Sequence, residues 1–211
     1  MTESSRIPLF PLDVVLFPEI PLPLHIFEDR YKQMINECLE NDSVFGVALF
    51  AEEKISHVGC TARIVSVLKK YKDGRMDILA QGEERFYIEH ISEEKPYLEA
   101  DIEYLPDDSR QESAVGKKLR ENAIEFFKKI LHASGQKINL FEFDEINSLE
   151  LSYLIAAYGW FTTAEKQELL ELPETGERLQ KELDLSDAVI QRLEFNQRLT
   201  TLSRTNGRLL H

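Results

Sequence analysis

Five histidines, His25, His57, His90, His132 and His211, are the side chains of this 211-residue sequence best suited to proton transfer or metal ligation. They are scattered, and neither H-E-x-x-H nor any other paired-ligand spacing joins them, so no metal centre is expected. Nucleophilic catalysis calls for a G-x-S-x-G elbow or a thiol beside a base. The chain has no such elbow, a serine-lysine dyad has no local support, and Cys38 and Cys60 sit in apolar stretches without a nearby histidine or cysteine. Both thiols read as core residues of a protein in a reducing compartment. None of the nine glycines falls in G-x-x-x-x-G-K-[ST], and Gly116-Lys117-Lys118 lacks the upstream glycine and the hydroxyl that such a phosphate cradle needs. No cofactor is therefore expected. One enzymatic arrangement stays open: a hydrolase in which His25 or His90 meets a neighbouring carboxylate only in the fold.

Charge narrows the partners. With 38 acidic and 25 basic residues the formal net charge is -13, which opposes a polyanion, because nucleic-acid affinity comes mostly from cations neutralising phosphates. The C-terminal segment is the exception: Arg192, Arg198, Arg204 and Arg208 face the single acid Glu194, either as an interaction arm or as a solvated helix end. The start, MTESSRIPLF, has no basic segment followed by an apolar run, and no stretch of about 18 apolar residues occurs. A cytoplasmic protein without a membrane span is expected.

The elements follow from periodicity. IPLFPLDVVLFPEIPLPLHI (7–26) is apolar but broken by five prolines into extended pieces near 7–10, 14–17 and 20–24, suited to a barrel edge or corner, with Val14, Leu16, Leu22 and Leu24 filling the interior. Phe27, Tyr31, Met34, Ile35, Cys38 and Leu39 recur at helical spacing and predict a helix over 28–40. VFGVALF (44–50) reads as a buried strand, 56–71 as a second long strand, and Asp73-Gly74 as the type I′ turn of a hairpin over 64–79. Gly82 reads as a strand entrance, with Arg85 pairing a local acid. In YLEADIEYL, Leu98, Ala100, Ile102 and Tyr104 face one way and Glu99, Asp101 and Glu103 the other. After Pro106 the period becomes helical, with capping boxes at Ser109/Glu112, Asn147/Glu150 and Thr162/Glu165, a stop at Gly135, and one or two helices from Pro173 onward. The division expected is a β-rich module over 1–106 and a helical bundle over 107–211.

The ordered series LFPLDVVLFPEIPLPLHIFEDRYKQMI, FGVALF, VGCTARI, a DGR hairpin, QGEERFYI, EKQELLE and TGERL resembles the N-terminal substrate-binding domain of Lon proteases over roughly residues 6–200. The resemblance implies an α+β fold, a PUA-like β pseudo-barrel of about six strands and one helix followed by a C-terminal helical bundle. It also implies a surface that engages protein rather than a catalytic centre, since the ATPase and protease modules of that family find no counterpart in these residues. The expected function is a protein-binding module for unfolded or exposed apolar segments, an adaptor or regulator in protein quality control. The RNA-binding role of other PUA-like folds conflicts with the charge. Candidate partner-binding residues are Phe17 and Ile20 in the opening stretch and Phe141 and Phe143 in a later loop. Trp160-Phe161 is a further aromatic pair, and either aromatic pair is equally explained as a seal between the modules. Oligomeric state is not legible.

Overall fold

The proline-rich opening folds as two strands separated by a turn. In the computed structural model, which describes residues 5–107, 115–135 and 146–206 with side chains to 199, β1 spans Ser5–Leu12 and β2 spans Pro21–Ile26. β1 pairs one neighbour through residues 5–9 and another through 9–12, so Pro8 and Pro11 each fall where one side of the strand is unpaired and a missing N–H costs nothing. The stretch expected to be extended near 14–17 is instead an irregular bend. Of its residues Leu16 is buried, whereas Val14 is exposed and fills no interior. The bend ends in a turn in which the Ile20 N–H donates to the Phe17 carbonyl (3.2 Å), Pro18 takes the first central position and Glu19 has φ 63°.

Helix α1 (Asp29–Asn41) carries Tyr31, Met34, Ile35 and Cys38 on its buried face. Phe27, expected to belong to that stripe, precedes the helix and is exposed. Strands β3 (Phe45–Ala51), β4 (Lys54–Lys70), β5 (Met76–Ser92) and β6 (Leu98–Tyr104) complete a six-stranded sheet in the order β2-β5-β4-β3-β1-β6. β5 is long enough to pair β2 with one half and β6 with the other, and the β5–β6 ladder closes the ring. All pairings are antiparallel except β1–β3. The interior splits into a cluster under α1, where the Phe10 and Tyr31 rings stack 4.0 Å apart, and a second cluster around Phe86.

The hairpin at Asp73-Gly74 forms where residue type pointed, but its turn is not type I′. The β4–β5 hairpin closes through a three-residue loop in which Gly74 alone has positive φ (84°), the Gly74 N–H donating to the Tyr71 carbonyl at 3.1 Å. The type I′ signature, two successive residues at positive φ, belongs to Glu52 (51°) and Glu53 (60°) between β3 and β4. Two glutamates there give no sequence signal for such a turn.

The remaining helices are α2 (Lys117–Ser134), α3 (Ser148–Tyr158), α4 (Thr163–Glu171), α5 (Thr175–Asp184) and α6 (Ser186–Asn206). Gly135 ends α2 at φ 71°, and Asn147 with Glu150 forms a complete capping box on α3. Helix α2 starts at Lys117, later than Ser109/Glu112 implied; those two residues lie outside the described ones. The chain divides into two compact units, residues 1–108 with 163–173, and residues 109–162 with 174–211. Helix α4 thus goes with the sheet rather than with the bundle. The Gln167 amide donates to the Val58 carbonyl (3.0 Å), and the Arg85 guanidinium donates to the carbonyls of Leu170 and Leu172 (3.0 Å each) and to Asp107 (2.8 Å). Arg85 therefore pairs an acid 22 residues away rather than one beside it in sequence, and also caps a helix C-terminus 85 residues away.

In the second unit α5 packs against α2, α3 and α6. Arg178 on α5 is buried, lies over the Tyr153 ring (4.2 Å) and donates to Ser152 Oγ (2.8 Å). One turn on, Glu182 is fully buried, and both of its carboxyl oxygens lack a hydrogen-bond partner among the described residues. Burial raises this carboxyl well above its usual range, with the Arg178 charge opposing in part. A raised acid keeps in the folded state a proton that the unfolded chain gives up above about pH 4.3, so stability falls by about 1.4 kcal/mol per pH unit until the buried group ionises. Glu182→Gln removes that slope. In urea titrations the stability of the variant relative to the parent is expected to rise between pH 5 and pH 8; parallel pH dependences would show that Glu182 is not buried as a neutral acid.

Candidate functional site

Three segments of the sheet unit, joined by Leu98, enclose a groove of about 470 Å³: the end of β1 (residues 10–12), the end of β2 with the first turn of α1 (24–31), and the β3–β4 hairpin at Phe50 and Ile55. Phe10, Ile26 and Tyr31 form its buried floor, because each belongs to the apolar face of its own element. Its rim carries two exposed aromatics, Phe27 (59%) and Phe50 (47%). Both leave their elements at the point where burial ends, Phe27 just before α1 and Phe50 just before the Glu52–Glu53 turn. Large apolar side chains left in water beside a concave apolar surface mark a place where another molecule is accommodated.

The groove wall is an edge strand with a particular backbone. The carbonyl of Ile20 accepts from the Gly82 N–H (3.0 Å), which turns the backbone groups of alternate residues 22, 24 and 26 toward β5 and those of 21, 23 and 25 outward. Two of those three outward residues are proline, so His25 alone offers an outward N–H along β2. A strand added along this edge would find a single backbone donor.

One polar cluster lies beside the rim. His25 Nδ1 is 2.5 Å from Asp77 Oδ1, and the Tyr71 hydroxyl donates to Asp77 Oδ2 at 2.8 Å. The His25 and Tyr71 bonds hold the Asp77 carboxyl below its usual range. Of the two histidines considered for hydrolysis, His25 thus has its carboxylate, and His90 pairs in register with Asp101, which is itself engaged by Arg6 through bonds of 2.7 and 2.9 Å. A His–Asp pair can move protons, but the residues lining the groove include no serine, threonine or cysteine. Cys38 and Cys60 are buried in the core, where burial pushes both thiols up and away from reactivity. Among the described residues no cluster of three or more His, Cys, Asp and Glu is placed to hold a metal ion.

Of the candidate partner-binding residues picked from sequence, the two that are described, Phe17 and Ile20, do not line the groove. Phe17 is fully buried and offers no surface, and Ile20 is partly buried against the α1-side core. Phe141 and Phe143 lie outside the described residues. Phe161 is buried with its ring 6.3 Å from Phe126, while Trp160 is part-exposed at φ 60°. Arg198 is exposed, with Glu194 3.9 Å away; the side chains of Arg204 and Arg208 are outside the described set. Phe27 and Phe50 were missed because each continues an apolar run whose other members are buried. The available signal was that Tyr31, Met34, Ile35 and Cys38 already complete the buried stripe of α1.

Residues 6–187 match the ATP-dependent protease La (LON) substrate-binding domain. The chain belongs to the LON substrate-binding domain family. Its curated relatives include Lon protease 2 of Syntrophobacter fumaroxidans, 27% identical over 206 residues, and the Lon protease of Flavobacterium johnsoniae, 28% identical over 203. The alignments cover 92% and 90% of this chain but 26% and 25% of those proteins, so the chain spans about a quarter of the length of the relatives it matches. Two solved structures share the fold of this LON domain: a Lon N-terminal domain protein from Xanthomonas campestris and the N-terminal domain of a Mycobacterium avium complex Lon protease. The first has a TM-score of 0.67 at 20% identity and the second 0.69 at 17%, over 85% and 87% of this chain and 98% of each of theirs. The α+β fold, a pseudo-barrel with helices, thus agrees with what the sequence resemblance implied.

Proposed function

We propose that this LON domain is a non-catalytic protein-binding module that takes exposed apolar segments of unfolded proteins into the groove between β1, β2 and α1, as an adaptor or regulator of protein quality control in the cytoplasm. The observation that carries the reading is the pair Phe27 and Phe50, held in water at the rim of a floor made of Phe10, Ile26 and Tyr31. The family's description as substrate-binding supports it. Nucleic acid is disfavoured by charge: the sheet unit contains 25 acidic and 12 basic residues, so it carries the full -13 while the helical unit sums to zero. No helix among the described residues is long and apolar enough to cross a membrane.

The test is fluorescence anisotropy with a labelled, permanently unfolded polypeptide. The Phe27→Ser, Phe50→Ser double variant is expected to bind at least tenfold more weakly, since each ring contributes about 1–2 kcal/mol when its exposed part is covered. Its melting temperature should stay close to that of the parent, because neither ring is in the core. Equal binding by both proteins, or no binding by the parent, rules the reading out.

A further inference from the structure

The β4–β5 ladder contains three register shifts, and two of them eject aliphatic side chains into water. Between the pairs Ile64↔Ala80 and Ser66↔Leu79 the extra residue is Val65; between Val67↔Ile78 and Lys69↔Asp77 it is Leu68. Val65 is 49% and Leu68 61% exposed. The third shift lies in β5 instead, where Glu83 and Glu84 face the single residue Thr61, which is buried and whose hydroxyl bonds the Glu84 backbone. β-Bulges re-aim side chains, and here two successive bulges aim apolar groups outward from one strand. β3 pairs β4 only through residues 54–62, so beyond residue 62 the outer edge of β4 has no strand partner among the described residues.

Charge on this arm reverses the charge of its unit. Over residues 65–75 the chain carries Lys69, Lys70, Lys72 and Arg75 against Asp73 alone, a net +3 on a unit that totals -13. Arg75 is engaged by Asp73 (2.7 Å). Lys69, Lys70 and Lys72 are exposed and form no carboxylate ion pair within 4 Å among the described residues, although Lys69 faces Asp77 in register and its Nζ lies 4.4 Å from the centre of the Tyr71 ring. Lysines and bulges on an open edge also discourage edge-to-edge pairing. That role accounts for the lysines but not for two aliphatic side chains ejected beside them.

We infer that the β4–β5 arm is a second recognition surface, which binds acidic protein segments bearing leucine or phenylalanine by covering Val65 and Leu68 and pairing carboxylates with Lys69, Lys70 and Lys72. A short segment is favoured over a polyanionic lipid or nucleic-acid surface because an extended surface meets the acidic remainder of the unit, whereas a segment touches the arm alone. This extends the protein-binding reading to different residues and a different chemistry, so either surface can fail without the other.

The probe is a short labelled peptide alternating aspartate with leucine and phenylalanine, measured by anisotropy at low salt and in 1 M salt. The Lys69→Ser, Lys70→Ser, Lys72→Ser variant is expected to bind it about tenfold more weakly at low salt, the size of three exposed ion pairs, and equally in 1 M salt, where such pairs are screened. Val65→Ser, Leu68→Ser should weaken binding at both salt concentrations. The groove variant Phe27→Ser, Phe50→Ser should bind the acidic peptide as the parent does, which separates failure of the groove from failure of the arm. Unchanged binding by the lysine variant at low salt, absence of binding by the parent, or binding of phosphatidylglycerol vesicles in place of the peptide overturns the proposal.

Discussion

Replacing Arg85 by methionine is expected to cost about 3–5 kcal/mol of stability, the range for breaking a buried ion pair from one side. The guanidinium is 2% exposed and holds Asp107, itself 17% exposed, together with the carbonyls of Leu170 and Leu172. Methionine fills much of the volume but removes the donors that Arg85 gives to one carboxylate and to two carbonyls at the helix end. Each unpaired buried acceptor costs about 1–3 kcal/mol, more for a charged one. Arg85→Lys should recover part of the loss, since one ammonium keeps the charge but cannot reach three acceptors in the planar arrangement of a guanidinium. Urea unfolding followed by circular dichroism measures both. A midpoint for Arg85→Met equal to that of the parent would mean that α4 is held to the sheet by other contacts.

Gly82→Ala is expected to be nearly as damaging, at about 3 kcal/mol. A Cβ on residue 82 falls 2.2 Å from the carbonyl oxygen and 2.9 Å from the carbonyl carbon of Phe17, and both are backbone atoms that cannot rotate away. Relief requires lifting the 17–20 turn off β5. That breaks the bonds from the Glu19 N–H to the Gly82 carbonyl (2.9 Å) and from the Gly82 N–H to the Ile20 carbonyl (3.0 Å). The same movement exposes the fully buried Phe17 ring. The thermal midpoint reads the effect, and an unchanged value would show that the turn is docked loosely.

These two residues show what was legible beforehand. Arg85 was legible as a residue that pairs an acid, yet that acid is Asp107 rather than a sequence neighbour, and the capping of α4 depends on a chain reversal through the helical segment that periodicity cannot reveal. Helical spacing says which face of α4 is apolar but not that Leu169 and Leu170 go with a sheet. Gly82 looked like a strand entrance and stands in mid-strand, because the glycine is required by the close approach of a turn rather than by its own φ. Alternation in 98–104 translated directly into burial of Ala100 and Ile102, since that strand has no bulge. β4 was legible as a strand but not in its bulges, where alternation is interrupted and Val65 and Leu68 change sides. The groove was the least legible feature: its lining comes from separate segments, none unusual alone, and its rim aromatics look like members of buried runs.

Site-specific photo-crosslinking tests the central claim most directly. A photoreactive phenylalanine derivative is placed at Phe50 on the groove rim or, as a control, at Phe195 on α6, which is 61% exposed and therefore at least as accessible. With an unfolded polypeptide present, the expected result is a covalent adduct from position 50, suppressed by excess unlabelled polypeptide, and little or none from position 195. Adducts from position 195 and none from position 50 would place the protein-binding surface outside the groove and contradict the reading.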